Sequence, residues 1–183
     1  MKKAVLIFGL LSGAIAAALM FATMLITDRI GFDRGLIVGY TTIILSFVMV
    51  FVGIRSYREN VGGGTITFGR AFAVGILITL ISCVCYVVAW EILYYNFMPD
   101  FADKYSAYVL AKARTAGATA EAIQAHMDEA KKLKRTLDNP FLNAAATFME
   151  PFPVGLIITL ISALILRKRH KSSPGENAVN AVA

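Results

Sequence analysis

The sequence predicts an all-α fold: an integral membrane bundle of four transmembrane helices, with an extracytoplasmic amphipathic helical hairpin between helices three and four. Hydrophobic residues make up 57% of the chain and charged residues only 16%, against about 45–50% and about 25% in soluble domains. The apolar residues are concentrated in four charge-free blocks, which cover residues 4–27, 35–54, 71–90 and 151–166. A bilayer core needs about 20 apolar residues per helix, whereas membrane barrels have alternating strands without such runs. The composition therefore excludes an ordinary soluble domain and disfavours a barrel.

The first helix is predicted over about residues 4–27. Lys2 and Lys3 precede it, as the basic residues of a signal peptide would. The apolar region of a signal peptide is usually about 7–15 residues long, and here it continues through Ile26. We therefore expect a retained membrane helix, and whether the chain is ever cleaved there stays open.

Small residues four positions apart give each predicted helix a smooth face. The glycines concerned are Gly9 and Gly13 in helix one, Gly35 and Gly39 in helix two, Gly75 in helix three and Gly155 in helix four. Such faces allow membrane helices to approach closely. We expect these glycines to pack helices within one chain, with a homodimer contact as the alternative.

The connection Arg55–Arg70 contains the run Gly62-Gly63-Gly64. A phosphate-binding loop would need a lysine followed by Ser or Thr at fixed spacing between a strand and a helix. None of these features is present, so the run predicts a turn that leads into helix three.

Residues 96–140 have a different composition and carry 13 of the 30 charges. Apolar side chains recur at helical spacing on both sides of Gly117, which is placed to end one helix, while Thr119 is placed to cap the next. We expect two amphipathic helices here, within a membrane domain that covers residues 1–169. The remaining residues, 170–183, are polar and are expected to form a disordered cytoplasmic tail.

The net charge of +6 is explained best by membrane orientation. Nine basic residues flank helix ends on one side of the predicted bundle: Lys2, Lys3, Arg55, Arg58, Arg70, Arg167, Lys168, Arg169 and Lys171. By the positive-inside rule that side is cytoplasmic, which places both termini inside. The other side has as many basic residues, but seven of them belong to the longer segment 96–140 and are offset there by six acids. The partners expected are the lipid bilayer and either a second copy of the chain or another membrane protein, with no nucleic acid.

Two acids, Glu91 and Glu150, fall at helix ends near the expected outer membrane boundary. Acids at such positions are costly and often functional, and two neighbouring carboxylates would form a proton or cation site. The structural interpretation makes Glu150 a helix-start acid beside Pro151 and Pro153, which are tolerated in a first helical turn. That interpretation is favoured for Glu150, whereas the two interpretations are equally supported for Glu91.

Candidate catalytic and metal-binding groups are sparse in the sequence. His126 and Glu129 lie one turn apart on the predicted hairpin, but the other histidine, His170, belongs to the tail. Cys83 and Cys85 lie about 200° apart around a helix axis and are interpreted as packing residues. We therefore expect no enzyme activity, metal or cofactor.

Three stretches resemble a bacterial family known as domain of unknown function 4199. They are Gly53-Ile54-Arg55-Ser56-Tyr57-Arg58 with Gly63-Gly64 and Ile66-Thr67-Phe68-Gly69; Tyr94-Tyr95-Asn96-Phe97 with Pro99-Asp100-Phe101-Ala102-Asp103-Lys104-Tyr105; and Asn139-Pro140 with Thr147-Phe148-Met149-Glu150-Pro151-Phe152-Pro153-Val154-Gly155-Leu156-Ile157 and Leu160-Ile161-Ser162-Ala163. The resemblance implies a small four-helix inner-membrane protein with a polar insertion before the last helix, and it implies no activity. The function expected is that of a non-enzymatic interaction, assembly or accessory component, and the alternative is a small transporter or channel that uses Glu91 and Glu150.

Overall fold

A computed structural model describes residues 1–168 of the chain, except for the side chain of Asp28. The predicted tail, residues 170–183, lies outside the described residues. The helices, in chain order, are α1 (Lys2–Ile30), α2 (Phe32–Ser46), α3 (Val48–Asn60), α4 (Phe68–Phe97), α5 (Phe101–Thr115), α6 (Ala120–Asp138), α7 (Pro140–Met149) and α8 (Pro151–Leu166).

Four helical segments are long and apolar enough to cross a membrane: Lys2–Thr27, Phe32–Asn60, Phe68–Phe97 and Pro140–Leu166. The predicted all-α, four-helix membrane architecture is thereby confirmed. The predicted fourth helix, about residues 151–166, corresponds to α8 (Pro151–Leu166), and α7 extends the same apolar segment back to Pro140. Glu150 interrupts the charge-free block, but the residues before it are apolar and continue the segment.

The turn between α1 and α2 is a single residue, Gly31. Its φ angle of 79° lies in the left-handed region, which glycine adopts without strain. The Gly31 N–H donates to the Thr27 carbonyl at 2.9 Å and so satisfies the end of α1. A one-residue turn makes α1 and α2 antiparallel neighbours.

Helix α4 is the centre of the bundle and packs against α1, α3, α7 and α8. The core beside it contains Phe47, Val50, Ile54 and Ile78, none of them more than 2% exposed. Two buried polar contacts cross the same interfaces. Ser12 Oγ donates to the Ser46 carbonyl at 2.9 Å and also contacts Ser82 Oγ at 3.0 Å, and the Thr79 and Thr159 hydroxyls are 2.9 Å apart.

Four of the six glycines on the predicted faces lie at tight contacts within the chain. A Cβ atom at Gly9 would come within 2.8 Å of Ile81, and one at Gly13 would collide with Cys85. A Cβ at Gly75 would come too close to Ile54 and Thr159, and a Cβ at Gly155 would come too close to Thr79 and Phe47. These glycines therefore allow α4 to approach α1, α3 and α8 closely.

Gly35 and Gly39 differ from the other four. A Cβ at Gly35 would meet only Thr27, at 3.5 Å, and one at Gly39 would meet nothing within 4 Å. Gly35 still contacts Thr27 of α1 at an ordinary van der Waals distance, and the expectation that these two glycines pack helices together stays a prediction. Gly39 leaves space beside α2.

Helices α5 and α6 pack against each other, and α6 also contacts α7 of the fourth apolar segment. Gly117, with φ of 73°, ends the first of them, and the Thr119 hydroxyl accepts the Ala122 N–H at the start of the second. Asp103 and Lys134 join the two helices at 2.6 Å. Lys112 reaches Asp33 on α2 at 2.7 Å and so ties α5 to the membrane segments.

Two of the four apolar segments are interrupted. The second is broken at Phe47, between α2 and α3, and the fourth at Glu150, between α7 and α8.

Candidate functional site

A cavity of about 320 Å³ lies between α1 and α2 on one side and α4 and α7 on the other. Its walls are mostly apolar, and α5 and α6 contribute residues at one end. The lining residues are Met20, Thr23, Met24, Thr27, Phe32, Gly35, Leu36, Gly39, Thr42, Tyr86, Trp90, Phe101, Tyr105, Leu137, Ala146, Thr147 and Glu150. Its volume falls within the range of small-molecule sites, which is about 300–1,000 Å³.

The two glycines with open surroundings explain why the cavity exists. Gly35 and Gly39 line it from α2, and the absence of side chains there keeps α2 from filling the gap toward α4 and α7. Leu36, another lining residue, is 50% exposed, so the cavity reaches the surface of the protein.

Glu150 is the one acid in the wall of the cavity, and no Lys, Arg or His side chain of the described residues lines it. The Tyr86 hydroxyl donates a hydrogen bond to Glu150 Oε2 at 3.2 Å. Glu150 lies ten residues after Pro140 and sixteen before Leu166, so it falls inside the fourth apolar segment. The cavity thus combines an acidic group with apolar surroundings.

Five aromatic rings also face this cavity, from α2, α4 and α5: Phe32, Tyr86, Trp90, Phe101 and Tyr105. Trp90 and Phe101 meet edge to face with centroids 5.3 Å apart, and Phe32 and Tyr105 do so at 5.5 Å. The Trp90 indole donates to Asn143 Oδ1 at 2.9 Å, a buried bond that fixes the ring against α7. The walls are therefore held in place by contacts among themselves.

Glu91 lies one residue after Trp90 but does not line the cavity. Its Oε1 atom is buried and has no hydrogen-bond partner among the described residues. Adjacent positions on a helix point about 100° apart, so Trp90 and Glu91 face different neighbours. The structure does not bring Glu91 and Glu150 together in one cavity.

Pro151 and Pro153 occupy the first turn of α8, directly after Glu150. Proline has no N–H, so neither residue donates the helical hydrogen bond to the carbonyl four positions earlier. The carbonyls concerned belong to Thr147, which lines the cavity, and to Met149. The two missing hydrogen bonds therefore mark the boundary between α7 and α8, which lies at Glu150.

The glycine run at the other end of the bundle forms a closed turn. Gly63 and Gly64 have φ angles of 57° and 83°, and the Gly64 N–H donates to the Arg58 carbonyl at 3.0 Å. Ile66 exchanges two backbone hydrogen bonds with Lys168, each 2.9 Å long, and so joins the turn to the end of α8. The Gly64 and Ile66 amides thus donate to backbone carbonyls within the fold and are not directed at an anion.

The remaining candidates from the sequence lie apart from the cavity. His126 Nδ1 and Glu129 Oε2 are 3.3 Å apart on the exposed side of α6. Within residues 1–168, His, Cys, Asp and Glu side chains nowhere form a group of three able to hold a metal ion. Cys83 is fully buried in the core, and Cys85 packs under Gly13.

Sequence reasoning missed the cavity as a unit, although it found Glu150. Thr23 and Thr27 on α1 and Gly35, Gly39 and Thr42 on α2 all line the cavity at spacings of three or four. Such spacing places small residues on the facing sides of two antiparallel helices, which is a signal in the sequence. The contributions of α5, α6 and α7 depend on tertiary packing and leave no such signal.

Comparison with known proteins identifies one family. No curated protein and no solved structure matches the chain significantly. A family model described as "Protein of unknown function (DUF4199)" matches residues 7–168, which include every helix that lines the cavity. The chain therefore belongs to the DUF4199 family of multi-pass, helical membrane proteins of unknown function.

Proposed function

We propose that this protein is a non-enzymatic accessory component of the bacterial inner membrane that acts by binding a small ligand in the cavity beside Glu150. The observation that carries the proposal is the cavity itself. It is of ligand size, it reaches the surface, and its described side chains include one acid and four threonines in walls that are otherwise mostly apolar and aromatic. Ligand sites typically combine apolar walls with a few polar groups in this way.

The location of the ligand follows from the position of the cavity within the apolar segments. Both interrupted helices pass near it, and membrane proteins tolerate interrupted helices where they line a cavity or are buried in protein. A ligand with apolar groups would enter from the bilayer or from the end covered by α5 and α6. The ligand would therefore be lipophilic at least in part.

Filling the cavity tests this function. Gly39→Leu adds a side chain at a cavity-lining position where nothing lies within 4 Å of the added Cβ. We expect purified wild-type protein to be stabilised thermally by at least one class of lipophilic compound, and Gly39→Leu to lose that stabilisation.

Gly69→Leu is the matched control. Gly69 is also helical with open surroundings, but it lies outside the cavity. A compound that stabilises all three proteins equally would show that its binding is unrelated to the cavity and would contradict the proposal.

Transport is a second candidate, supported by the interruption of two apolar segments at Phe47 and Glu150. Transporter sites are typically formed by discontinuous helices. A flux assay in proteoliposomes would compare wild type with Glu150→Gln, and with Glu91→Gln as the control outside the cavity. Flux that depends on Glu150 alone would favour transport, and flux that is unchanged in Glu150→Gln would count against it.

We further propose that both termini are cytoplasmic and that α5 and α6 lie outside the inner membrane. The basic residues beside the helix ends support this orientation. A membrane-impermeant maleimide should label Ala116→Cys, but not Asn60→Cys, in intact spheroplasts of a Cys83→Ala/Cys85→Ala background. The reverse pattern would invert the topology.

A further inference from the structure

We propose that the ligand is an organic ammonium ion with apolar substituents, bound with its charge against the Glu150 carboxylate. This inference rests on the proposed binding function and specifies the chemical class of the ligand. It is argued from the charge, the rings and the shape of the cavity.

Charge is the first argument. Among the side chains that the structure describes, Glu150 is the sole acidic or basic one in the wall, since the other ionisable lining groups are the phenols of Tyr86 and Tyr105. An ionised carboxylate inside an apolar segment is costly unless it is paired. The cavity offers it the Tyr86 hydroxyl but no cationic side chain. A cationic ligand would supply the missing partner, whereas an anionic ligand would be repelled.

The aromatic walls are the second argument. Trp90, Tyr86 and Tyr105 are among the five rings that line the cavity. The faces of aromatic rings carry negative electrostatic potential, and cages of such rings bind ammonium ions. Rings of this kind also accept the apolar substituents of the ligand, so one wall serves both parts of the molecule.

The polar groups of the cavity form the third argument. Besides the acid and the phenols, the polar side chains are the hydroxyls of Thr23, Thr27, Thr42 and Thr147. Thr23 and Thr27 already donate to carbonyls of their own helix at 2.8 Å, which leaves their oxygens available mainly as acceptors. Acceptors near an acid favour a ligand that donates hydrogen bonds or carries positive charge.

The size of the cavity limits the ligand. A volume of about 320 Å³ accommodates one aromatic ring with a small substituted ammonium group, but not a two-chain lipid in full. Such a group reaches the cavity either on a free organic cation or as the headgroup of an aminophospholipid whose chains remain in the bilayer. Both share the ammonium chemistry.

The probe for the test is benzyltrimethylammonium, measured against its neutral isostere neopentylbenzene and the anion phenylmethanesulfonate. We expect wild-type protein to bind the cation more tightly than the isostere, and not to bind the anion. Glu150→Gln should weaken binding of the cation about thirtyfold or more, because it removes one member of a buried charge pair. Binding of the neutral isostere should change little, which also shows that the variant is folded.

Two controls separate this inference from the proposed function. Glu91→Gln removes an acid outside the cavity and should leave cation binding unchanged, and Gly39→Leu should weaken both the cation and the isostere. If the isostere binds wild type as tightly as the cation, or if Glu150→Gln has no effect, the ammonium inference is overturned while the cavity function stands. If neither compound binds wild type, the ammonium inference is overturned, and the thermal screen with lipophilic compounds decides the cavity function separately.

The source of the ammonium group is assigned by repeating the titration in nanodiscs. Because anionic phosphatidylglycerol attracts a cationic probe to any nanodisc, the quantity compared is the ratio of wild-type affinity to Glu150→Gln affinity in each lipid. A ratio that is smaller in phosphatidylethanolamine than in phosphatidylglycerol supports the proposal and identifies the lipid headgroup as a competitor. An equal ratio in both lipids, well above one, supports a free organic cation, and a ratio of one in both overturns the proposal.

Discussion

At the scale of single residues, Glu150 has two properties that are seldom found together. It precedes Pro151 and Pro153 at the point where α7 gives way to α8, and its carboxyl group faces a cavity, with only a tyrosine as hydrogen-bond partner within the described residues. A purely structural helix-start acid would not need a cavity beside it. The position of the cavity is therefore the reason to assign Glu150 a ligand as well as a structural role.

The glycines of the helices also have two different surroundings, tight contacts or open space. The difference predicts opposite effects of substitution on stability. Gly155→Ala adds a Cβ atom that would come within 2.5 Å of Thr79 and 2.8 Å of the Phe47 ring. Such overpacking of a core costs about 1–3 kcal/mol. We expect this loss in the free energy of unfolding, measured by denaturant titration in detergent.

Gly39→Ala is the comparison for that measurement, because its Cβ meets nothing within 4 Å. It should leave stability unchanged or raise it by up to about 1 kcal/mol, since alanine favours helix over glycine. Equal destabilisation by both substitutions would contradict the distinction between packing glycines and cavity glycines.

At the scale of elements, the apolar blocks of the sequence predict the four membrane segments because each block is charge-free over about the length that a bilayer requires. The breaks within two of the segments could not be predicted with equal ease. Pro151 signals the boundary before α8 in the sequence, whereas the boundary at Phe47 has no proline or glycine to mark it. The cavity eluded prediction because its walls come from six helices.

The ion pair that connects α5 to α2 is predicted to depend on pH. Lys112 on α5 contacts Asp33 on α2 with Nζ–O distances of 2.8 and 2.7 Å. The hydrogen bond that Lys112 donates to the Asp33 carboxylate raises the pKa of Lys112 above its usual value of 10.5. The pair therefore stabilises this contact below about pH 10, and that stabilisation is lost as the pH rises through the raised pKa.

Charge reversal tests the pair without a change of pH. Lys112→Asp places two acids together and should separate α5 from α2, and the further substitution Asp33→Lys should restore the contact. The measurement is the distance between spin labels on Ala116→Cys and Arg34→Cys in a Cys83→Ala/Cys85→Ala background. An unchanged distance in Lys112→Asp would show that the aromatic contacts of Phe32 with Phe101 and Tyr105 hold α5 without the ion pair.

At the scale of the whole molecule, the bundle is tightly packed on one side of α4 and open on the other. Gly9, Gly13, Gly75 and Gly155 bring α1, α3 and α8 against α4, while α2 remains apart from α4 across the cavity. Helices α5 and α6 cover one end of that gap with Phe101, Tyr105 and Leu137. The polar insertion thereby becomes part of the site instead of a separate appendage.

The single tryptophan of the chain, Trp90, provides the most direct test, because it lines the cavity and is only 9% exposed. 4-Bromobenzyltrimethylammonium carries a heavy atom that quenches indole fluorescence at short range. We expect saturable quenching of Trp90 in wild type and in Gly69→Leu, and its loss in Gly39→Leu. Quenching that rises linearly with concentration and is equal in all three proteins would show that the compound only partitions into detergent or lipid, and would contradict ligand binding in the cavity.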